Sequence, residues 1–312
     1  MDVSVVIVNW NTRDILRDCL QSVYAETMGV EFEVVVVDNA SADGSAEMVR
    51  AEFPQVRLIA NQENKGFAAA NNQGIAISEG RYILLLNSDT VVLDNAIAKT
   101  MAFADQHQEA AVVGCRTLNP DRTLQPTCFM YPSVLNLFLF ATYLYKLFPR
   151  NRFFGRERMT WWDRDDVREV EVVTGCYMFV RREAMDTVGL MDEDYFMYGE
   201  ETDWCYRFKR AGWKLLFAPE PCIIHLGGAS SKLCADAMYL YLRKSTLLFI
   251  GKHRSYRAYT VARILVILFL ALRIPYWLLA SLARRRDRQD CRRRVAVYAK
   301  AIREVCIHSR LS

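Results

Sequence analysis

Up to Asp89 the apolar residues gather into three continuous runs, each closed by polar side chains. Val3-Ser-Val-Val-Ile-Val8 runs into Asn9 and Asn11, Val34 to Val37 into Asp38, and Tyr82 to Leu86 into Asn87-Ser88-Asp89. Such unbroken Val/Ile/Leu runs suit strands covered on both faces of a parallel sheet. Between them the period changes to a helical one. Ile15, Leu16, Cys19, Leu20 and Val23 form one stripe, Ser41 to Ser45 reads as a turn and N-cap before a helix through Met48 and Val49, and Phe67–Ile77 reads as a helix after the turn Asn64-Lys65-Gly66. Strand-helix alternation of this kind predicts right-handed βαβ units. In these sheets ligands bind beyond the carboxyl ends of the strands, where this chain places carboxylates and amides and no glycine fingerprint.

Further along, Ala96–Ala104 reads as a helix, Ala110–Val113 as a strand, Val170–Arg182 as a strand entering a helix, and Tyr195–Gly212 as a turn followed by a helix. Residues 115–170 are less regular, with prolines at 120, 126, 132 and 149. Within them Val134–Phe148 is apolar and aromatic with one charge, Lys146; it reads as a core helix or as a surface that touches lipid. From residue 231 the character changes. Ile264–Leu282 is near bilayer length but is interrupted by Arg273 and Pro275. The expected organisation is a nucleotide-binding half over residues 1–95, an acceptor-binding and catalytic half over 96–230, and a basic helical region over 231–312.

With 312 residues, 52% of them hydrophobic and 24% charged, the chain can fold as one large α/β domain with additions or as two small domains. The net charge of +4 conceals a cluster of arginines at 284–286, 288 and 292–294. Beside an apolar run such a cluster points to an anionic membrane surface and away from nucleic acid. The nine cysteines contain no C-x-x-C pair. They are therefore expected to be buried thiols in a reducing compartment, with no disulfide framework or zinc ribbon. Strand residues begin at Val3, so no signal peptide is expected and the working end is expected in the cytoplasm.

Four constellations carry candidate chemistry. Asp38, at a strand end, can accept from a pyrimidine N3–H or a ribose hydroxyl, or can close an Asx turn. Asp89 of Asn87-Ser88-Asp89 can bind a divalent cation whose other positions a diphosphate and water fill, with Asn87 at the ribose. Glu200, Glu201 and Asp203 crowd the start of a helix. They either cap it, with Arg207 pairing Asp203, or work as a base with a raised pKa beside Tyr195 to Tyr198. His225, before Gly227-Gly228, is a turn residue or a ligand; imidazole with carboxylate suits Mn²⁺ more than Mg²⁺.

Taken in order, Val5-Val-Ile-Val-Asn-Trp-Asn11, Val37-Asp-Asn-Ala-Ser41, Asn64-Lys-Gly-Phe-Ala-Ala-Ala-Asn-Asn-Gln-Gly74, Leu86-Asn-Ser-Asp-Thr90, Gly175 with Arg181-Arg182, Tyr198-Gly-Glu-Glu-Thr-Asp203 and His225 resemble the family 2 glycosyltransferases with the GT-A fold. The nearer likeness is to the rhamnosyltransferase-like branch of bacterial cell-surface polysaccharide synthesis. The resemblance implies a mostly parallel nucleotide-binding α/β sheet flanked by helices, and a divalent metal, Mn²⁺ or Mg²⁺, at Asp89 and His225. It places the nucleotide-sugar donor, dTDP- or UDP-linked, at Asn9, Asn11, Asp38, Asn64, Lys65, Gly66, Asn71, Asn87 and Asp89. It places a glycan or polyprenyl-diphosphate-linked acceptor near Trp161, Trp162, Gly175 and Asp203. The family's acidic pair usually reads Glu-Asp with the second residue as base; here that residue is Glu201, one methylene longer, with Glu200 in reserve. The reaction implied is inverting transfer, and the donor dTDP-rhamnose. Two rivals are a nicotinamide-dependent Rossmann enzyme, which needs G-x-G-x-x-G where this chain has Asn9-Trp10-Asn11, and a non-catalytic nucleotide-sugar-binding or scaffold protein.

For the C-terminal region, Arg263, Arg273 and Arg284 fall within roughly 80° of helical arc. That stripe predicts a helix lying in the interface of the cytoplasmic leaflet of the inner membrane, peripheral and not spanning, with a helix packed on the catalytic domain or on a homodimer partner as the alternative.

Overall fold

The computed structural model describes residues 1–228, 235–282 and 288–307. They fall into two compact units, Met1–Tyr131 with Arg158–Leu233, and Pro132–Glu157 with Cys234–Ser312. Both halves expected before residue 231 therefore share the first unit, and residues 132–157 join the C-terminal helices in the second. The arginine run at 284–286 lies outside the described residues.

The first unit opens as β1 (Val3–Asn9), α1 (Arg13–Glu26), β2 (Phe32–Asp38), α2 (Ser45–Glu52), β3 (Arg57–Ala60), α3 (Phe67–Ile77) and β4 (Tyr82–Asn87). It continues as β5 (Thr90–Leu93), α4 (Ala96–Gln106), β6 (Ala110–Leu118) and β7 (Cys128–Phe129). The second unit then supplies α5 (Val134–Ala141) and α6 (Leu144–Leu147). The chain returns to the first with β8 (Arg168–Glu169), β9 (Val172–Val173), β10 (Tyr177–Arg181), α7 (Arg182–Val188), α8 (Glu200–Arg210) and β11 (Lys214–His225). Helices α9 (Ala235–His253), α10 (Tyr256–Ala271), α11 (Arg273–Leu282) and α12 (Arg288–Ile307) complete the second.

Among the described residues one nine-stranded sheet runs in the order β3-β2-β1-β4-β10-β6-β11-β5, with β8 paired to β11. Strands β3, β2, β1, β4, β6 and β11 point the same way, and β10 is antiparallel to both its neighbours. The apolar runs are its centre. Val5, Val6, Ile7, Val35, Val36, Ile83, Leu84 and Leu85 are fully buried, as strands covered by helices on both faces must be. Register then decides where the polar residues stand. Asn9 lies opposite Asp38, and Asn87 opposite Val8, so the polar ends of β1, β2 and β4 meet on one edge.

The second unit is all helix and differs sharply in charge. By sequence, residues 132–157 with 234–312 carry 21 Lys and Arg against 5 Asp and Glu, net +16. Residues 1–131 with 158–233 carry 19 against 31, net −12. Helix α10 starts where the Ser255 hydroxyl accepts from the Ala258 N–H, an N-cap. It breaks at Leu272, since the Pro275 ring cannot fit against the carbonyl four residues back. Tyr256–Ser281, 26 residues taken through that break, is long and apolar enough to cross a membrane.

The arginine stripe expected along this helix faces the other way. Arg263 donates to the Val305 carbonyl at 2.9 Å and to that of Cys306, and Arg273 donates to the Phe269 carbonyl at 2.8 Å and to the Tyr143 hydroxyl. Guanidinium groups turn to fixed acceptors inside the unit, because the helix's opposite side offers none. That opposite side, Val261, Ile264, Leu268, Leu272 and Leu279, is exposed and wholly apolar. The segment 134–148 is partly core and partly surface: Leu137 and Leu139 are buried, whereas Phe138, Leu147 and Phe148 are exposed.

Candidate functional site

The first part of the site is a hydrogen-bonded row of short polar side chains along the carboxyl edge. Asn9, fully buried, donates its amide to Asp38 Oδ1 at 3.0 Å and to the Ser41 hydroxyl at 3.2 Å, and accepts from Thr12 at 2.6 Å. Asp38 Oδ2 accepts from the Ser41 N–H at 3.0 Å, so the local turn forms. An ionised carboxylate keeps further acceptor capacity beyond these two bonds. Asn11 takes a left-handed backbone (φ 53°) and accepts from the Ala42 N–H. Thr12 also lies 3.1 Å from Ser88, carrying the row on to β4.

Asn39 was overlooked as a site residue, and it is the hub of the neighbouring turn. Its amide donates to Asn64 Oδ1 at 2.9 Å and to the Gly66 carbonyl at 3.1 Å, while its oxygen accepts from Asn61 and from the Lys65 N–H. The signal was present, because Asn39 directly follows a strand-end aspartate. Lys65 is exposed, whereas Asn71 is buried and donates to the Phe67 carbonyl at 2.9 Å. Asn71 is thereby engaged within α3.

Gly66 is required where it stands. Its φ is +86°, and a Cβ there would lie 2.5 Å from the Phe196 carbonyl oxygen, far inside contact distance. The same oxygen accepts the Phe67 N–H at 2.8 Å. The turn at the donor edge is thus fastened to the loop that leads into the acidic pair. Gly175 lies against the Phe67 ring, and the Cys176 carbonyl accepts the Asn87 N–H at 3.2 Å, so this loop borders the end of β4.

At that end Asp89, Asn87 and His225 come together. Gln125 Nε2 donates to Asn119 Oδ1 at 2.8 Å and to the His225 carbonyl at 3.1 Å, which turns Gln125 Oε1 to His225 Nδ1 at 2.6 Å. The amide oxygen takes the Nδ1–H and leaves Nε2 as an acceptor. Asn87 Nδ2 approaches Nε2 at 3.2 Å, and Asp89 Oδ1 stands 3.1 Å from it. A nitrogen lone pair facing a carboxylate oxygen is unfavourable unless a cation or a proton lies between them. Two adjacent ligands of one octahedral cation stand about 3 Å apart, so the donor set fits a divalent ion. No group of three or more such ligands occurs among the described residues; the protein would contribute these two. The sequence reading missed Gln125, whose role depends on a contact between positions a hundred apart.

Helix α8 carries acids in its first turn and Arg207, Lys209 and Arg210 in its last, as the helix dipole favours. Its three acids divide by environment. Asp203 is buried and pairs with Arg207 at 2.7 Å. Glu200 is buried, and its Oε2 makes no hydrogen bond. Burial, then the charge of Glu201, pushes its pKa well above the ordinary carboxylate value. Glu201 is half-buried, accepts the Gly199 N–H at 3.2 Å, and is also raised by burial. Of the adjacent pair, Glu201 is the one open to an incoming hydroxyl. Tyr198 and Gly199, both at positive φ, make the sharp turn that presents it.

Trp162 sits in the core, edge-on to Phe217, with its indole N–H on Asp166. Trp161 is half-buried, and the Arg168 guanidinium covers both rings.

Known proteins share the fold. The structure is similar to the mannosyltransferase PcManGT from Pyrobaculum calidifontis in complex with GDP-Man and Mn²⁺ (TM-score 0.56, 15% identity, 98% of this chain and 86% of that one). It is also similar to S. aureus TarS (TM-score 0.53, 16% identity), covering 86% of this chain but only 43% of TarS. In sequence it is 27% identical over 236 residues to the N-acetylglucosaminyl-diphospho-decaprenol L-rhamnosyltransferase of Mycobacterium tuberculosis, 71% of this chain and 75% of that protein. It is 26% identical to the O-antigen biosynthesis protein RfbC of Myxococcus xanthus, over 76% of this chain and 18% of that protein. The sequence model described as Glycosyl transferase family 2 matches residues 4–189. That span runs from the first strand to the loop before the acidic pair and takes in the whole polar edge with Asp89; the chain belongs to glycosyl transferase family 2, and is a glycosyltransferase.

Proposed function

We propose that this glycosyltransferase moves a sugar, rhamnose by likeness to the mycobacterial relative, from a pyrimidine nucleoside diphosphate to a hydroxyl of a lipid-linked glycan. The reading rests above all on the continuous edge from Asp38 through Asn9 and Thr12 to Ser88, with Asp89 and His225 next along the chain of strands. Asp38 and the Asn39 turn hold the base and ribose, and Asn87 lies where the second ribose contact or the diphosphate falls. Asp89 and His225 would hold a divalent cation, Mn²⁺ or Mg²⁺, which would supply positive charge against the departing diphosphate.

Glu201 removes the proton from the acceptor hydroxyl, whose oxygen attacks the anomeric carbon opposite the leaving diphosphate and inverts the configuration. Burial suits it to that task, since a base with a raised pKa takes a proton more readily near neutral pH.

The second unit is read as the membrane-binding part. Its apolar outer stripe and its net positive charge suit the anionic cytoplasmic surface, where lipid-linked acceptors are concentrated. With the arginine stripe turned inward, both a shallow interfacial helix and a span fit the exposed face. Carbonate washing of membranes separates the two, because a span resists it.

A screen of dTDP- and UDP-linked sugars, read as metal-dependent release of the nucleoside diphosphate, tests the transfer. Release from dTDP-rhamnose that requires Mn²⁺ or Mg²⁺ and an added lipid-linked acceptor is expected. Equal release in EDTA, or none with any pyrimidine donor, would refute the reading.

A further inference from the structure

In the second unit Arg243, on α9, is nine-tenths buried, and the charge of Glu157 offsets that burial only in part. Among the described residues no Asp or Glu pairs with it, and its Nε makes no hydrogen bond. Its guanidinium carbon instead lies 4.8 Å from the centroid of Phe140, 4.9 Å from that of Phe269 and 5.2 Å from that of Tyr239. The Tyr239 hydroxyl is buried beside it, also without a hydrogen-bond partner. Arg273 lies over the same Phe269 ring at 3.2 Å and over Tyr143 at 4.8 Å. Its hydrogen bonds go to neutral acceptors, the Phe269 carbonyl and the Tyr143 hydroxyl. Two cations therefore share one aromatic ring with no acid between them.

Cation–ring contacts hold a guanidinium in place but satisfy few of its five N–H donors. A buried cation with no acid in ion-pair contact is unfavourable, and burial pulls the Arg243 pKa down. What is missing is an anion with several acceptor oxygens. Phosphate esters match the guanidinium fork in shape and charge. Arg273 is part-exposed and Tyr143 is exposed, so the pair has an open side.

We propose that Arg243 and Arg273, with Tyr239, form a seat for a phosphate or diphosphate ester, of the kind borne by a lipid-linked glycan or an anionic lipid head group. The seat is built entirely from the helical unit, so it holds whether or not the transfer reading does.

The test is thermal unfolding of the full chain in EDTA, which suppresses metal-dependent diphosphate binding at Asp89. Titrants are inorganic pyrophosphate, phosphatidylcholine vesicles, and the same vesicles carrying either farnesyl diphosphate or phosphatidylglycerol. Pyrophosphate should raise the melting temperature of the wild type. Arg243→Met should bind it about 10- to 100-fold more weakly, yet melt no lower than the wild type in its absence, since it removes an unpaired buried charge. Should Arg243→Met not fold, Arg273→Gln and Arg243→Lys make the same comparison, each with weakened binding. A response to farnesyl diphosphate vesicles alone identifies a lipid diphosphate; an equal response to phosphatidylglycerol identifies a general head-group site. If no phosphate ligand shifts the wild type, or all shift wild type and variants equally, the seat does not exist.

Discussion

Arg207 in the first unit and Arg243 in the second are both arginines on helices, but their surroundings differ in kind. Arg207 pairs with Asp203 at 2.7 Å and donates to the Val188 and Leu190 carbonyls at 2.8 Å. Arg243 meets three aromatic rings and no acid. The contrast extends to the whole of each unit, net −12 against net +16 by sequence. In the first unit polar groups are fixed by one another, which preorganises an edge for a small charged ligand. In the second, charge is left over, and the outer helix face is apolar without interruption. Chemistry needs groups already held in place, whereas attachment to a surface needs groups still able to bind.

The contrast can be broken most directly at the acidic pair. Glu201→Gln keeps size and hydrogen bonding but cannot take a proton, so turnover should fall by roughly 10²–10⁴-fold with donor affinity nearly unchanged. Normal turnover in Glu201→Gln with a dead Glu200→Gln would move the base by one residue. Asp89→Ala should abolish metal-stimulated release of nucleoside diphosphate, and His225→Gln should reduce it less, a neutral ligand giving up less than a carboxylate. Full activity of Asp89→Ala in EDTA would remove the metal from the first unit.

On the other side, Ile264→Glu with Leu268→Glu places two charges on the outer stripe. Binding to anionic vesicles in flotation should be lost, while transfer to a soluble acceptor analogue stays close to wild type. A matching loss of soluble transfer would show that the two units do not divide the work in this way. Gly66→Ala should destabilise the first unit by about 1–3 kcal/mol, because it combines a positive φ with a close carbonyl; denaturant unfolding measures this.

The smallest effect is a matter of pH. Burial raises the folded-state pKa of Glu200 well above the ordinary glutamate value of 4.5, so the native state holds its proton more tightly than the unfolded chain. The glutamate then lowers stability as pH climbs above the unfolded value towards the folded one. Glu200→Gln should accordingly melt higher than the wild type at neutral pH, and the difference should shrink as pH falls below about 4.5. A gap that widens in acid would mean that Glu200 is ionised in the fold.

Continuous runs of Val, Ile and Leu with polar closers were enough to place β1, β2 and β4 and to pick out Asn9, Asp38, Asn87 and Asp89. A strand buried on both faces leaves its composition in the local sequence. The acids of α8 were equally visible, as was the turn at Asn64-Lys65-Gly66. The sequence could not rank the acids. That Asp203 is taken up by Arg207, Glu200 sealed in and Glu201 left open depends on which side of α8 meets the rest of the unit. Nor could it say that Asn39 organises the turn at Asn64-Lys65-Gly66, or that Gln125 orients His225. Those are contacts between residues far apart in the chain, and local pattern does not encode them. The arginine stripe gives the plainest case: helical period alone puts Arg263 and Arg273 on one side. Only the packing of α10 and α11 against α5 and α12 decided that this side is the inner one, where carbonyls and rings supply the acceptors that the exposed stripe lacks.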